Sequence, residues 1–195
     1  MRLSTRLGYL PTPPPQALGD AGDPAATALE SRRMGATLRE AGINWNLAPV
    51  VDVAVNPLNP AVVTLGRTFS SDPQQVIIQA RAFIQGMHEA GVLTTLKHFP
   101  GHGSSRTDSH HGFVDVTETA DLTIELAPYR ALIKEGLADS IMPRVRRPSA
   151  STATCSDSNP TSPGSMATAM AEKIAKLNPV SRSSRPSLRA PPSRR

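Results

Sequence analysis

The chain has 195 residues, 38% hydrophobic and 4% aromatic, with a single cysteine and a net charge of +5. That length suits one domain with a sizeable core but is short of a complete eight-fold barrel, which takes roughly 250 residues. Cys155 alone excludes an intrachain disulfide and a thiolate metal cluster, and no apolar run is long enough to span a membrane. The charge is divided along the chain. Residues 1–142 hold 11 Lys and Arg against 14 Asp and Glu, a net of −3, and residues 143–195 hold 10 against 2, a net of +8. The basic character therefore belongs to the tail and does not describe the partner of the body.

Residues 1–23 contain Pro11, Pro13, Pro14 and Pro15, which predict an irregular loop over the body. Asp23-Pro24 is an N-cap followed by proline at the first helical position. The helix it opens should run to about Ala41, with Ala28, Leu29, Met34 and Leu38 facing inward and Gly42 ending it. Residues 43–53 predict a strand and its exit, and residues 56–71 a long loop. Asp72-Pro73 repeats the capping signal for a helix to about Glu89, closed by Gly91. Residues 92–96 predict the next strand. A helix from Thr119 or Asp121 to Lys134 follows, with Pro128 expected to kink it or move its start, and residues 138–142 open another strand. The order α-β-α-β-α-β implies a parallel sheet wrapped by helices.

Between the second strand and the third helix lies KHFPGHGSSRTDSHHG, residues 97–112, which holds His98, His102, His110 and His111, four of the five histidines. Titratable residues crowded past the C-terminal end of a strand are the pattern of a catalytic loop on an α/β scaffold. Asp108 and His110 are two apart, so in an extended segment they point to the same side. Asp108 can then accept from one ring nitrogen of His110, leaving the other to exchange a proton with substrate. Lys97 and His98 stand at the strand end and can donate to ligand hydroxyls. Asp52 ends its strand and is read as structural, able to orient neighbours. Trp45 and Phe99 read as core or rim rather than as a stacking platform, and His102 and His111 have no assigned role.

KHFPGHG followed by Asp-Ser-His resembles the signature of glycoside hydrolase family 3, in its NagZ-like β-N-acetylglucosaminidase branch. Leu47–Val53 (LAPVVDV), Asn56–Pro60 (NPLNP), Gly66–Ser70 (GRTFS) and Asp72-Pro73 agree with it in order and spacing. The resemblance covers about residues 1–142. It implies a (β/α)8 TIM barrel, of which this chain carries a part: about strands three to five with their helices. It implies retaining hydrolysis of a terminal β-linked N-acetylglucosamine, typically from cell-wall fragments, without metal or organic cofactor. In that scheme His110 is the acid/base and Asp108 orients it, in place of the usual second carboxyl group. Lys97, His98, Arg67 and Arg2 bind the sugar. The bland alternatives are a solvated loop with a chance Asp-x-His, a strand-end cation paired with a carboxylate, and surface arginines.

From Pro143 the pattern stops. Residues 143–195 contain eight Pro, eleven Ser and no aromatic residue, and helical periodicity survives only around Ala167–Leu177. The resemblance calls for a later strand ending in Ser/Thr-Asp, whose aspartate is the nucleophile. Ser156-Asp157 follows no apolar strand, so no nucleophile is identified and the chain is expected to be inactive by itself. The composition is that of a shifted reading frame or a gene fragment, and an irregular, disordered tail is expected. A non-catalytic sugar-binding fragment and a metal-dependent hydrolase stay open as alternatives. The histidine spacings fit no standard metal pattern, and the basic tail lacks the aromatics of a nucleic-acid arm. No apolar signal core stands at the N-terminus, so a cytoplasmic location is expected, with export possible for a parent extended there.

Overall fold

The computed structural model describes residues 8–9, 11–106 and 121–143. In chain order it contains α1 (Pro15–Ala21), α2 (Pro24–Glu40), α3 (Pro73–Glu89), β1 (Leu96–Phe99), α4 (Leu122–Glu125), α5 (Ala127–Lys134) and β2 (Ile141–Pro143). β1 and β2 pair in parallel, with Leu96 opposite Ile141 and Lys97 opposite Met142. The architecture is α/β. The tail after Pro143, and with it the expectation of disorder, lies outside the described residues.

The capping signals act as local chemistry dictates. Asp23 accepts from the amides of Ala25 and Ala26 at 2.8 and 3.2 Å, and Asp72 accepts from Gln74 at 2.9 Å. Each is followed by proline, whose missing N–H is not needed in a first turn. The same rule corrects the expectation for the first 23 residues. Pro15 opens α1 instead of preventing it, with Pro14 extended at the N-cap. The predicted third helix is divided at Leu126 into α4 and α5, with Pro128 in the first turn of α5. Asp121 caps α4 through Thr123 N at 2.8 Å.

Helix α2 does not bury the face its apolar residues suggest. Leu29 is 69% exposed, Ala28 is half-buried, and the buried stripe is Thr27, Ser31 and Gly35. Met34 and Leu38 do pack against the core. Small residues at four-residue spacing let α2 press close to α3. A methyl on Gly86 would stand 2.2 Å from the Ala28 carbonyl oxygen. The stripe is polar but satisfied: Thr27 Oγ1 donates to Gln79 Oε1 at 2.6 Å and Ser31 Oγ to the Phe83 carbonyl at 2.5 Å. On its other faces α3 sends Val76, Ala80, Phe83, Ile84 and Met87 into a core shared with Val51, Val53, Leu96, Phe99, Tyr129 and Leu132.

Residues 43–53 run extended beside β1 but form isolated parallel bridges, Trp45 with Leu93 and Val50 with Lys97, rather than a continuous strand. Pro49 has no N–H to give to the ladder. The backbone bonds that remain, including Thr95 N to Ala48 O at 2.8 Å and Val51 N to Lys97 O at 2.9 Å, still hold the segment against β1. Strand β1 itself starts four residues later than the apolar run predicts and contains Lys97 and His98. Phe99 is core, edge-to-face with Tyr129 at 5.3 Å, and Trp45 is 51% exposed with its Nε1 donating to Thr95 Oγ1 at 2.9 Å.

A polar staple closes the N-terminal end of the strands. His88 in the last turn of α3 meets Asp139 Oδ2 at 2.7 Å, and the same oxygen accepts from Thr94 N and Oγ1 at 2.8 and 2.9 Å. The bond to Asp139 raises the His88 pKa above its ordinary value. Burial pushes Asp139 up, but the bonds from His88 and Thr94 outweigh it and its pKa is lowered. The His88 contribution is therefore complete below its unfolded value of about 6.5 and lost as pH rises through the raised folded value. The Asp139 contribution is complete above its unfolded value of about 3.9 and lost as pH falls through the lowered one. The thermal midpoint should fall between pH 6 and pH 8 by about 2–4 °C, kept small because 34% of the His88 side chain is exposed. His88→Gln should flatten that slope, and an unchanged slope in scanning calorimetry would show the staple to be thermodynamically silent.

Candidate functional site

At the C-terminal end of β1 the chain turns at Pro100 and Gly101 into the histidine loop. The organiser of that turn is Asp52, fully buried at the end of the extended segment. Its Oδ1 accepts from the amides of His98 and His102, both at 3.0 Å, and its Oδ2 meets His98 Nδ1 at 2.8 Å. One carboxylate thus fixes a strand end, a loop backbone and an imidazole. With Nδ1 held by Asp52, Nε2 is the nitrogen of His98 that can meet a ligand. The His98 side chain is 18% exposed, enough to be reached from solvent.

His102 is buried, edge-to-face with His98 at 5.8 Å, and its Nδ1 lies 2.6 Å from Ser105 Oγ. It supports the loop from within. The Lys97 ammonium donates to the Leu47 carbonyl, which ties the end of β1 to the neighbouring extended segment. Arg67 is half-buried and donates from Nη1 to the Ala61 carbonyl at 2.8 Å. Lys97 and His98 are therefore adjacent on one strand, and Arg67 belongs to the loop of residues 56–70, whose asparagines bond to the backbone of residues 102–105. Asp108 and His110, expected as an acid/base pair, Arg2, expected to contact a sugar, and His111 lie outside the described residues.

Behind the histidine loop lies a second buried carboxylate. Glu125 accepts from Ser104 N at 3.2 Å through Oε1 and lies directly beneath Gly101. Tyr129 is buried below it. Burial first, and then the charges of Asp52 and Glu125, push its hydroxyl well above the ordinary tyrosine value. Asp52, Glu125 and Tyr129 thus form a polar floor under the loop. Sequence reasoning gave Asp52 an orienting capacity but no site role, and passed over Glu125 and Tyr129, which follow the loop in a helical pattern that reads as scaffold. It also left the asparagines of the NPLNP turn unexplained, although the repeated Asn-Pro was itself a signal. Among the described residues no group of three or more His, Cys, Asp or Glu is placed to hold a metal ion, and no helix is long and apolar enough to cross a membrane.

Residues 3–174 match the family model of the glycosyl hydrolase family 3 N-terminal domain. The chain belongs to glycosyl hydrolase family 3. A β-hexosaminidase of Tolumonas auensis is 44% identical over an alignment of 117 residues that covers 56% of this chain and 32% of that protein. The family 3 β-N-acetylglucosaminidase of a Paenibacillus species superposes with a TM-score of 0.64 at 36% identity, over 70% of this chain and 26% of its own. NagZ of Neisseria gonorrhoeae, solved with N-trifluoroacetyl-D-glucosamine, gives a TM-score of 0.60 at 27% identity, over 70% of this chain and 41% of its own. The chain spans less than half the length of each of these three. The family 3 N-terminal domain is a TIM-barrel-like α/β fold, and the parallel strands and flanking helices described above are part of such an architecture. The matched range includes Arg67, Lys97, His98, Asp108 and His110, and begins one residue after Arg2.

Proposed function

We propose that the protein of which these residues are part is a retaining glycoside hydrolase that removes terminal β-linked N-acetylglucosamine, with cell-wall-derived sugars as substrates. The observation that carries the reading is the end of β1. There Lys97 and His98 stand side by side, with His98 held through Nδ1 by buried Asp52, in a chain of family 3. Support also comes from the Paenibacillus and Neisseria relatives, one a β-N-acetylglucosaminidase and the other holding a glucosamine derivative. The segment 43–53, β1 and β2 take the places of strands three, four and five of the barrel.

In this reading Lys97, His98, Arg67 and Arg2 grip the sugar hydroxyls. An aspartate nucleophile attacks the anomeric carbon while His110, oriented by Asp108, protonates the leaving oxygen. The same imidazole then takes a proton from the water that releases the sugar from the enzyme. No candidate for that nucleophile is identified within the 195 residues. The chain by itself is therefore expected to bind N-acetylglucosamine and not to turn over an aryl N-acetyl-β-glucosaminide.

Titration calorimetry and a chromogenic assay on the same preparation test both halves. Binding that weakens by about tenfold or more in His98→Ala, from loss of an oriented hydrogen bond to the sugar and of the packing around it, is the expected result. Absence of binding by the wild-type chain would remove the sugar-binding reading. Turnover that falls in His110→Ala would instead overturn the expectation of inactivity and locate the acid/base directly.

A further inference from the structure

The NPLNP turn, residues 56–60, holds two asparagines wired in the same way. Asn59 Oδ1 accepts from the amides of Ala61 and Val62, both at 2.9 Å. Its Nδ2 donates across to the carbonyls of His102 at 2.6 Å and Gly103 at 3.3 Å. Asn56 Oδ1 accepts from Leu58 N at 3.0 Å, and its Nδ2 donates to the Ser105 carbonyl at 2.9 Å. The Asn56 amide adds a bond to Gly103 O at 3.0 Å. In each side chain the oxygen shapes the local turn and the nitrogen crosses to the histidine loop.

Asn59 is completely buried, and both its donor hydrogens and its oxygen are engaged. The bonds continue to Arg67, whose Nη1 donates to the carbonyl of Ala61, the residue whose amide Asn59 receives. A continuous set of hydrogen bonds thus joins the arginine to the backbone of the histidine loop. The chemistry demands the amide. Aspartate has the same shape and keeps the accepting oxygen, but it would set a carboxylate oxygen against the His102 and Gly103 carbonyls where a donor now stands.

We propose that Asn59, seconded by Asn56, is a positioning residue that locks the Arg67 segment to the histidine loop, so that Arg67, Lys97 and His98 meet a sugar as one surface. The last clause rests on the sugar-binding reading given above; the lock itself does not.

The test uses the full chain carrying Asn59→Asp, Asn59→Ala, Asn56→Asp, Arg67→Ala and the Asn59→Asp/Arg67→Ala pair. Amide hydrogen exchange reads the lock without ligand, and titration with N-acetylglucosamine reads its consequence. A residue that only shapes its own turn is rescued by aspartate, because the accepting oxygen survives. A lock is not: Asn59→Asp should speed exchange at the Asn56 and Ser105 amides by about tenfold or more, since buried carbonyls lose their donors. Asn56→Asp removes one donor instead of two and should give the same pattern at smaller size, which keeps the test decisive should Asn59→Asp not fold. Sugar binding should weaken by about tenfold in Asn59→Asp, with little added loss on the Arg67→Ala background, because coupled residues are not additive. Wild-type exchange in both aspartate variants overturns the proposal. So does faster exchange with unchanged binding, or with a loss additive to that of Arg67→Ala. If the wild-type chain binds no N-acetylglucosamine, the sugar-binding reading falls, and the exchange pattern alone decides whether the loops are locked.

Discussion

Asp52→Ala is expected to destabilise the fold by roughly 3–5 kcal/mol and to abolish binding of N-acetylglucosamine. The size follows from the number of groups left behind. The substitution strands the His98 and His102 amides and His98 Nδ1, all of which now converge on one buried carboxylate. Asp52 is fully enclosed, so the donors it leaves behind are cut off from bulk water. Chemical denaturation read by circular dichroism measures the stability loss, and a change below about 1 kcal/mol would show that Asp52 is not the organiser of the loop.

Asp52→Asn separates the two duties of the carboxylate. Its oxygen still accepts from the two amides, so most of the stability should return. Its nitrogen, however, faces His98 Nδ1 and can only donate to it. That reverses the tautomer of the ring: Nδ1 becomes the acceptor and Nε2 carries the proton. Nitrogen chemical shifts of labelled histidine should record the exchange of roles, and sugar affinity should change with it. Recovery of the fold with unaltered ring shifts would mean that another group sets the orientation of His98.

Gly103→Ala is the second large effect. A methyl there would stand 1.5 Å from the Val53 carbonyl oxygen and 2.7 Å from its carbon. Neither backbone is free to retreat. Gly103 O accepts from the Asn56 amide and from Asn59 Nδ2, and Val53 is entirely buried next to Ala54, whose amide is bonded to Ser70 O at 3.0 Å. A loss of about 4 kcal/mol or more is expected, the scale of a core clash that only a backbone shift can relieve. The neighbouring Ser104→Ala provides the contrast. The Ser104 hydroxyl is buried and finds no partner among the described residues, so its removal should be close to neutral. Two changes of one heavy atom each at adjacent positions should therefore differ by several kcal/mol. Equal effects would show that the Gly103 approach to Val53 is loose.

These expectations divide between what the residues announce locally and what only packing reveals. The helix starts at Pro24 and Pro73 are legible because Asp23 and Asp72 accept from amides two or three residues ahead, an interaction contained within one turn. The break in the third helix just before Pro128 is also legible locally, because proline is tolerated in a first turn and not in a helix interior. The position of Lys97 and His98 at a strand end follows from an apolar run leading into glycine and proline. What failed were inferences from residue type to surroundings. Pro15 reads as part of an irregular loop and instead begins a helix, because only its place relative to the helix start decides the outcome. Leu29 was placed inward by hydrophobicity and lies outward. The distance between α2 and α3 is set by Gly86, and only the small side chains of Thr27, Ser31 and Gly35 fit that distance.

The motif itself, KHFPGHG with its flanking segments, was sufficient to place the chain in its family, because those residues are contiguous and their spacing survives without a fold. The partnerships that make the motif a site are not contiguous. Asp52 and His98 are 46 residues apart, Asn59 and His102 are 43 apart, and Ser104 meets Glu125 across 21. Nothing in local periodicity selects which of the chain's carboxylates or asparagines will arrive at a given backbone amide. The sequence by itself determined the chemistry available at the end of β1; which groups hold that chemistry in place was decided only when the parallel strands brought the ends of separate segments together.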